Sequence, residues 1–438
     1  MMRCFSFVAP AVVLFASAIS AAAQDVALPR AERPYRGLFA SGVDDARQLL
    51  TLNASLGGGY DDSVLNASNA GADVRLALRG PFASGSAGAA YTLSLERVSF
   101  GASASTATRY YPDARDNFLA TRSASAAISV QALRYTRISA AQSYTVAPYN
   151  VFSLFPTLFD APLGQSQVIE DDFGIAAERY TRVATTAGIV QTVPLGRRTF
   201  LDFDYNYGRS HVSSRSFDYE THAAGGYFRR EVTRSLGFRL GYHYRDARYP
   251  SAVARGRLQT HDADVGVDFN RALSLTRRTT LTMRTGTSAL VTENRTIYRL
   301  IGDARLNREI SRTWNASLAY NRNVGFVDTF DVPMLYDSVS AGVAGLITRR
   351  LQFASSLRAS TGHVGFGADS AFRTYAGAVN LATALTRNIG IGASYFYYRY
   401  WFDSLAALPA AVSREMERQG VRAYVTVWAP VFYRARRP

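Results

Sequence analysis

Val232-Thr233-Arg234-Ser235-Leu236-Gly237-Phe238-Arg239-Leu240-Gly241-Tyr242-His243-Tyr244 decides the fold. After a short break, Leu236, Phe238, Leu240, Tyr242 and Tyr244 fall on one parity; Gly237, Arg239, Gly241 and His243 fall on the other. Successive strand side chains point to opposite faces, so this segment has one apolar and one polar face. A helix would put Leu236, Arg239 and Leu240 on one side and mix the two classes. The stretch reads as a two-faced β-strand following a tight turn.

The break is a hydrophobic residue, then Thr or Ser, then Arg. It recurs at Tyr135-Thr136-Arg137, Leu275-Thr276-Arg277, Ile310-Ser311-Arg312, Ile347-Thr348-Arg349 and Leu385-Thr386-Arg387, with a variant at Leu195-Gly196-Arg197. From Gly196 onward the spacing is roughly 35–43 residues, the mark of a repeated supersecondary unit. A propeller blade of that length needs four short strands. Two long alternating strands per unit, with short turns on one side and longer loops on the other, describe a transmembrane β-barrel.

Bulk properties agree. The chain has 438 residues, 47% of them hydrophobic, and mean hydropathy is −0.07, as expected when outward apolar residues alternate with inward polar ones. Arg3, the apolar run Phe5–Ile19 and Ala21-Ala22-Ala23 read as a signal peptide over 1–23, cut before Gln24. The single cysteine, Cys4, leaves with it, so no disulfide is expected. After residue 23 no apolar run reaches the ~18 residues a membrane helix needs. Export without a membrane helix points to the outer membrane of a double-membraned bacterium. Net charge is +15 and all 49 basic residues are Arg. Compositional bias and the binding of phosphate or carboxylate groups, in lipopolysaccharide or an anionic solute, both account for this. Basic residues spread along the strands of an exported chain exclude nucleic acid as a partner.

Read in order, residues 24–47 form a periplasmic extension that lies free or enters the barrel mouth, 48–433 form the barrel, and 434–438 a basic tail. Strands are expected near 48–57, 71–80, 87–99, 122–134, 138–148, 179–193 and from Thr199 onward, ending with 418–433. Gly57-Gly58-Gly59-Tyr60-Asp61-Asp62 reads as a loop, Gly80-Pro81 as a turn and 100–121 as a Ser/Thr/Tyr-rich loop. The count is about 18 strands, enough for an aqueous lumen. Tyr205, Tyr207, Tyr242, Tyr244, Tyr395, Tyr397 and Trp401 fall at the long-loop ends; Phe200, Trp314, Phe353 and Phe432 fall near the short turns. Two such bands match interfacial girdles.

Parity assigns the lumen wall. It comprises Arg75, then Asp202, Asp204 and Asn206, then Arg239, His243 and Arg245. Asp262, Asp264 and Asp268 follow, with Arg284, Arg299, Asp303 and Arg305, and finally Asn315, Asn321, Arg358 and Arg422. Mixed charges there set up a transverse field that biases which solutes pass. The long irregular segment 149–178, with Asp160 and Glu170-Asp171-Asp172, is a constriction loop or an extracellular cap. The histidines (His211, His222, His243, His261, His363) lack metal-ligand spacing, and the Asp262, Asp264, Asp268 column does not surround one ion. His211-Val212-Ser213 is the one Ser–His juxtaposition, and a loop His beside a Ser is more often inert. Neither catalysis nor a cofactor is expected.

Tyr35-Arg36-Gly37-Leu38-Phe39, Leu56-Gly57-Gly58-Gly59-Tyr60-Asp61-Asp62 and the strand ending Val425-Thr426-Val427-Trp428-Ala429-Pro430-Val431-Phe432-Tyr433 resemble the β-barrel porin 2 group of outer-membrane proteins. The resemblance implies a passive conduit for exopolysaccharide export, a polysaccharide chain and a periplasmic export protein as partners, and insertion by the barrel-assembly machinery. Arg434-Ala435-Arg436-Arg437-Pro438 departs from the usual terminal aromatic of assembly signals. The residues themselves leave open a general diffusion porin for small, including anionic, solutes, and, as a further class, an outer-membrane enzyme or a structural barrel. Outer-membrane lipid and lipopolysaccharide are expected around any of these.

Overall fold

A computed structural model of the chain describes residues 38–39, 46–65, 79–112, 118–148, 179–212, 217–233, 236–250, 255–269, 279–291, 296–325, 334–364, 370–403 and 414–435. The strands are β1 (Ala46–Leu65), β2 (Arg79–Ser94), β3 (Val98–Tyr110), β4 (Phe118–Leu133), β5 (Thr136–Pro148) and β6 (Arg179–Pro194). Next come β7 (Thr199–Val212), β8 (Phe217–Glu231), β9 (Leu236–Pro250), β10 (Arg255–Phe269), β11 (Thr279–Val291) and β12 (Thr296–Glu309). The last are β13 (Trp314–Gly325), β14 (Met334–Leu346), β15 (Leu351–Val364), β16 (Ala371–Ala384), β17 (Ile389–Phe402) and β18 (Glu415–Ala435). Each strand pairs antiparallel with its neighbours in sequence, and β1 pairs with β18, closing an 18-stranded barrel. Closure leaves no sheet edge, so every strand's backbone groups have ladder partners, as a lipid environment requires.

The outer face is the apolar parity of each strand. Leu56, Leu240, Leu300, Leu357 and Val425 are among its exposed aliphatic side chains. Such a continuous exposed apolar band is untenable in water and suited to hydrocarbon. No helix among the described residues is long and apolar enough to cross a membrane; this barrel crosses with strands. Near the short turns Trp314 and Phe353 stack with ring centroids 5.9 Å apart. Toward the long loops a tyrosine on an ascending strand repeatedly bonds a polar group on the next. Tyr205 Oη lies 2.8 Å from His222 Nδ1, and Tyr242 Oη 2.7 Å from His261 Nδ1. Tyr320 donates to Asp337 at 2.6 Å and Tyr395 to Gln419 at 3.2 Å. The belt keeps its rings in the interface while satisfying its hydroxyls.

The strand count agrees with expectation, but the N-terminal third is placed differently. The Gly57–Asp62 stretch is not a loop: β1 runs through it, paired with β18 on one side and β2 on the other. The turn expected at Gly80-Pro81 is the start of β2, with Gly80 at φ 132°. A proline is tolerated at the first positions of a strand. Residues 100–110, expected in a loop, belong to β3, which starts at Val98 where the expected strand 87–99 was to end. The expected strand 71–80 lies outside the described residues except for its last two positions. Phe200 is not in the lipid girdle; it faces inward, under the Arg229 guanidinium at 4.7 Å. The signal peptide and segment 149–178 lie outside the described residues. Of the N-terminal extension, Leu38 donates its amide to the Arg349 carbonyl in the β14–β15 turn at 2.8 Å. Phe39 Cε2 lies 3.4 Å from where a Cβ on Gly390 would stand. Gly390 is on the inner parity of β17, so this segment enters the short-turn mouth.

Candidate functional site

The inner face is the site. Its most charged arc lies on β7 to β12. Asp202 accepts from Thr192 Oγ1 at 2.6 Å and from Arg229 Nε at 3.3 Å. His243 stands between two carboxylates, Nδ1 3.9 Å from Asp204 and Nε2 3.5 Å from Asp264. Arg284 Nε donates to Asp303 at 2.6 Å. Asp264, Arg284, Asp303 and Asn321 line one small lumen pocket.

Glycines on adjacent strands let these side chains lie flat along the wall. A Cβ on Gly225 would stand 2.1 Å from His243 Nδ1, and one on Gly241 would stand 2.7 Å from Asp264 Oδ1. A Cβ on Gly266 would meet Arg239 Nε at 3.1 Å. Without a side chain beneath it, each charged group folds tangentially against the sheet instead of projecting into the lumen.

The opposite arc, β15 through β18 to β3, is arginine over aromatic rings. Arg422 lies over Tyr424 at 4.7 Å, Arg418 over Phe396 at 5.3 Å, and Arg109 over Phe82 at 4.8 Å. Near the long-loop end, Asp61 on β1 accepts from Arg418 Nε of β18 at 2.9 and 3.1 Å to its two oxygens. Arg418 Nη2 bonds the same carboxylate. Arg109 of β3 and Tyr111 add contacts of 3.4 and 3.0 Å. Asp61 and Arg418 are 0% and 1% exposed, so this cluster is protein interior, not water-filled wall. Paired, hydrogen-bonded burial is the arrangement that makes such charges tolerable.

The register places the lumen residues read from parity on the inner face. It brings Asp204, His243 and Asp264 together, and Arg284 with Asp303. Arg358 sits on the opposite arc, near Tyr336 and Tyr398. Arg75, Asp160, Glu170, Asp171, Asp172 and Ser213 lie outside the described residues, as does the side chain of Asp268. His222 and His261 face lipid with their tyrosine partners. Asp61, Arg109 and Arg418 were missed. The Leu52, Ala54, Leu56 alternation, carried six residues further, would have turned Asp61 inward.

No protein-family model matches the chain, and no curated protein sequence matches it, so the resemblance to the β-barrel porin 2 group rests on its short motifs alone. Among solved structures, the siderophore receptor PirA of Acinetobacter baumannii is 6% identical with a TM-score of 0.45, covering 90% of this chain and 84% of its own. OccK7 of Pseudomonas aeruginosa is 12% identical with a TM-score of 0.44, covering 89% and 100%. The FrpB iron transporter of Neisseria meningitidis is 10% identical with a TM-score of 0.45, covering 88% and 83%. At these scores the barrel stands on its own strand ladder: a closed antiparallel barrel with a lipid-facing exterior and a charged interior.

Proposed function

We propose that this barrel is a passive outer-membrane channel for small hydrophilic solutes, with no catalytic step. The observation that carries the reading is the β7–β12 arc of the inner face, where charged and amide side chains lie flat on glycine cradles. A barrel of this strand number is wide enough for water. Paired acids and bases on one arc, facing arginines on the other, orient dipolar or charged solutes as they pass.

A dedicated conduit for polysaccharide export, the task that the resemblance implies, has one feature in its favour. Leu38 and Phe39 stand inside the short-turn mouth, where a resident segment would hold a conduit closed until engaged.

Conductance of the refolded protein in a planar bilayer tests both. A steadily open channel whose ion selectivity shifts on Arg284→Ser supports the diffusion channel. A mostly closed channel that opens when 24–45 is deleted supports the dedicated conduit. A correctly folded barrel silent in both forms, and still silent when 149–178 is also deleted, would sink the channel reading.

A further inference from the structure

Five of the short turns share one construction. The amide of Leu195, Val232, Ile310, Ile347 and Leu385 each donates to the carbonyl four residues on, at 3.0, 2.9, 2.8, 2.9 and 3.0 Å. In four of the five the next residue is Thr or Ser, and its hydroxyl accepts amides from inside the turn. Thr233 takes Leu236 N at 3.0 Å and Ser311 takes Thr313 N at 3.3 Å. Thr348 takes Leu351 N and Thr386 takes Ile389 N, both at 3.0 Å. This hydroxyl cap is a local way to satisfy turn amides.

The cap has a consequence at the surface. It holds the leading aliphatic side chain outward, 50–57% exposed in all five turns. It also holds an arginine outward two residues later, at Arg197, Arg312, Arg349 and Arg387. Among the described residues none of these four has a carboxylate partner, although exposed Glu231 and Glu309 lie on the same rim. The five turns join β6–β7, β8–β9, β12–β13, β14–β15 and β16–β17, so the same unit recurs around most of the circumference. It continues the lipid-facing apolar band directly.

We propose that the short-turn rim is a ring of sites for anionic phospholipid headgroups. In each, the aliphatic side chain enters the acyl boundary and the arginine takes the phosphate. An exposed aliphatic residue contiguous with a lipid belt is stabilised by insertion. An arginine just beyond it reaches outward to the headgroup layer, where its fork matches phosphate oxygens. Repetition around the ring fits a partner that surrounds the barrel, as a leaflet does, better than a protein docked at one side. The inference rests on the membrane barrel and is independent of what the lumen carries.

Trp314 reports on one such site: its carbonyl closes the Ile310 turn and its Nε1 donates to Leu346 O at 3.0 Å, beside the next turn. With Trp401→Phe and Trp428→Phe removing the other two tryptophans, the full chain is reconstituted in phosphatidylcholine containing dibrominated phosphatidylglycerol. The control holds the same fraction of dibrominated phosphatidylcholine. The expected result is at least ~3-fold preferential quenching by the anionic lipid. That preference is lost in Arg312→Ser/Arg349→Ser and kept when both become Lys. Equal quenching in the parent, or an undiminished preference in the folded serine variant, would overturn the proposal. Binding of a soluble acidic protein without lipid preference would also count against it.

Discussion

Asp61 carries two arginines and a tyrosine in a space closed to water. Removing its charge leaves Arg109 and Arg418 buried against each other, a loss of ~3–5 kcal/mol by the usual cost of breaking a buried pair. Asp61→Asn is therefore expected to lower the urea midpoint of the micelle-refolded barrel sharply. Arg284→Ala, at a half-exposed pair, is expected to cost ~1 kcal/mol or less, and an equal effect from both would refute the distinction. The glycine cradles make a second contrast. Gly225→Val meets the movable ends of two side chains, the His243 ring and Asp204 Oδ1, so it should spare folding and narrow the lumen, read as reduced conductance. Gly286→Val meets the Ala263 carbonyl at 2.2 Å and the Asp264 Cα at 2.7 Å, and should cost ~1–3 kcal/mol through overpacking. Individual charges were readable by parity, but not their partners. Whether His243 meets Asp264 depends on register between strands, which one strand's pattern does not contain.

At the level of the element, the hydrophobic–Thr–Arg break was legible as a period before its geometry was known. The hydroxyl–amide bonds explain why the middle position is Thr or Ser. Thr348→Val and Thr386→Val should each cost ~1 kcal/mol, the net value of one hydrogen bond. Each should be measurable as a lower unfolding midpoint with an unchanged β-sheet spectrum. Strands from β7 onward were legible because large apolar residues alternate with charged ones. β3 was not, because through its middle, residues 102–106, its two faces differ only as Ala and Thr against Ser. Its inward serines are held across to β4, Ser103 to Ser125 at 3.1 Å and Ser105 to Ser123 at 2.7 Å. Hydropathy contrast, the signal for a strand, is absent where both faces are small. β1 was cut short for a related reason. Three consecutive glycines look like a loop, yet Gly57 and Gly59 are needed where the backbone of β18 approaches. A Cβ on Gly59 would stand 2.1 Å from the Val421 carbonyl.

For the whole molecule, strand number and closure were readable because a chain with two-faced strands and even count has few other ways to satisfy its backbone in lipid. The asymmetry between the two arcs of the lumen was not, since it depends on which strands end up facing each other. That asymmetry belongs to the assembled ring, and so does the position of the barrel's two ends. Ala46 is paired with Ala435, and the two longest strands of the barrel form a single hairpin-like seam with no turn. Joining those ends with a short linker and opening the chain at a long loop, for instance between β13 and β14, would leave every ladder intact. A circularly permuted chain should then fold to the same barrel with the same conductance. What it would change is the order in which strands are made: Asp61 and Arg418, 357 positions apart in this chain, would become near neighbours in sequence.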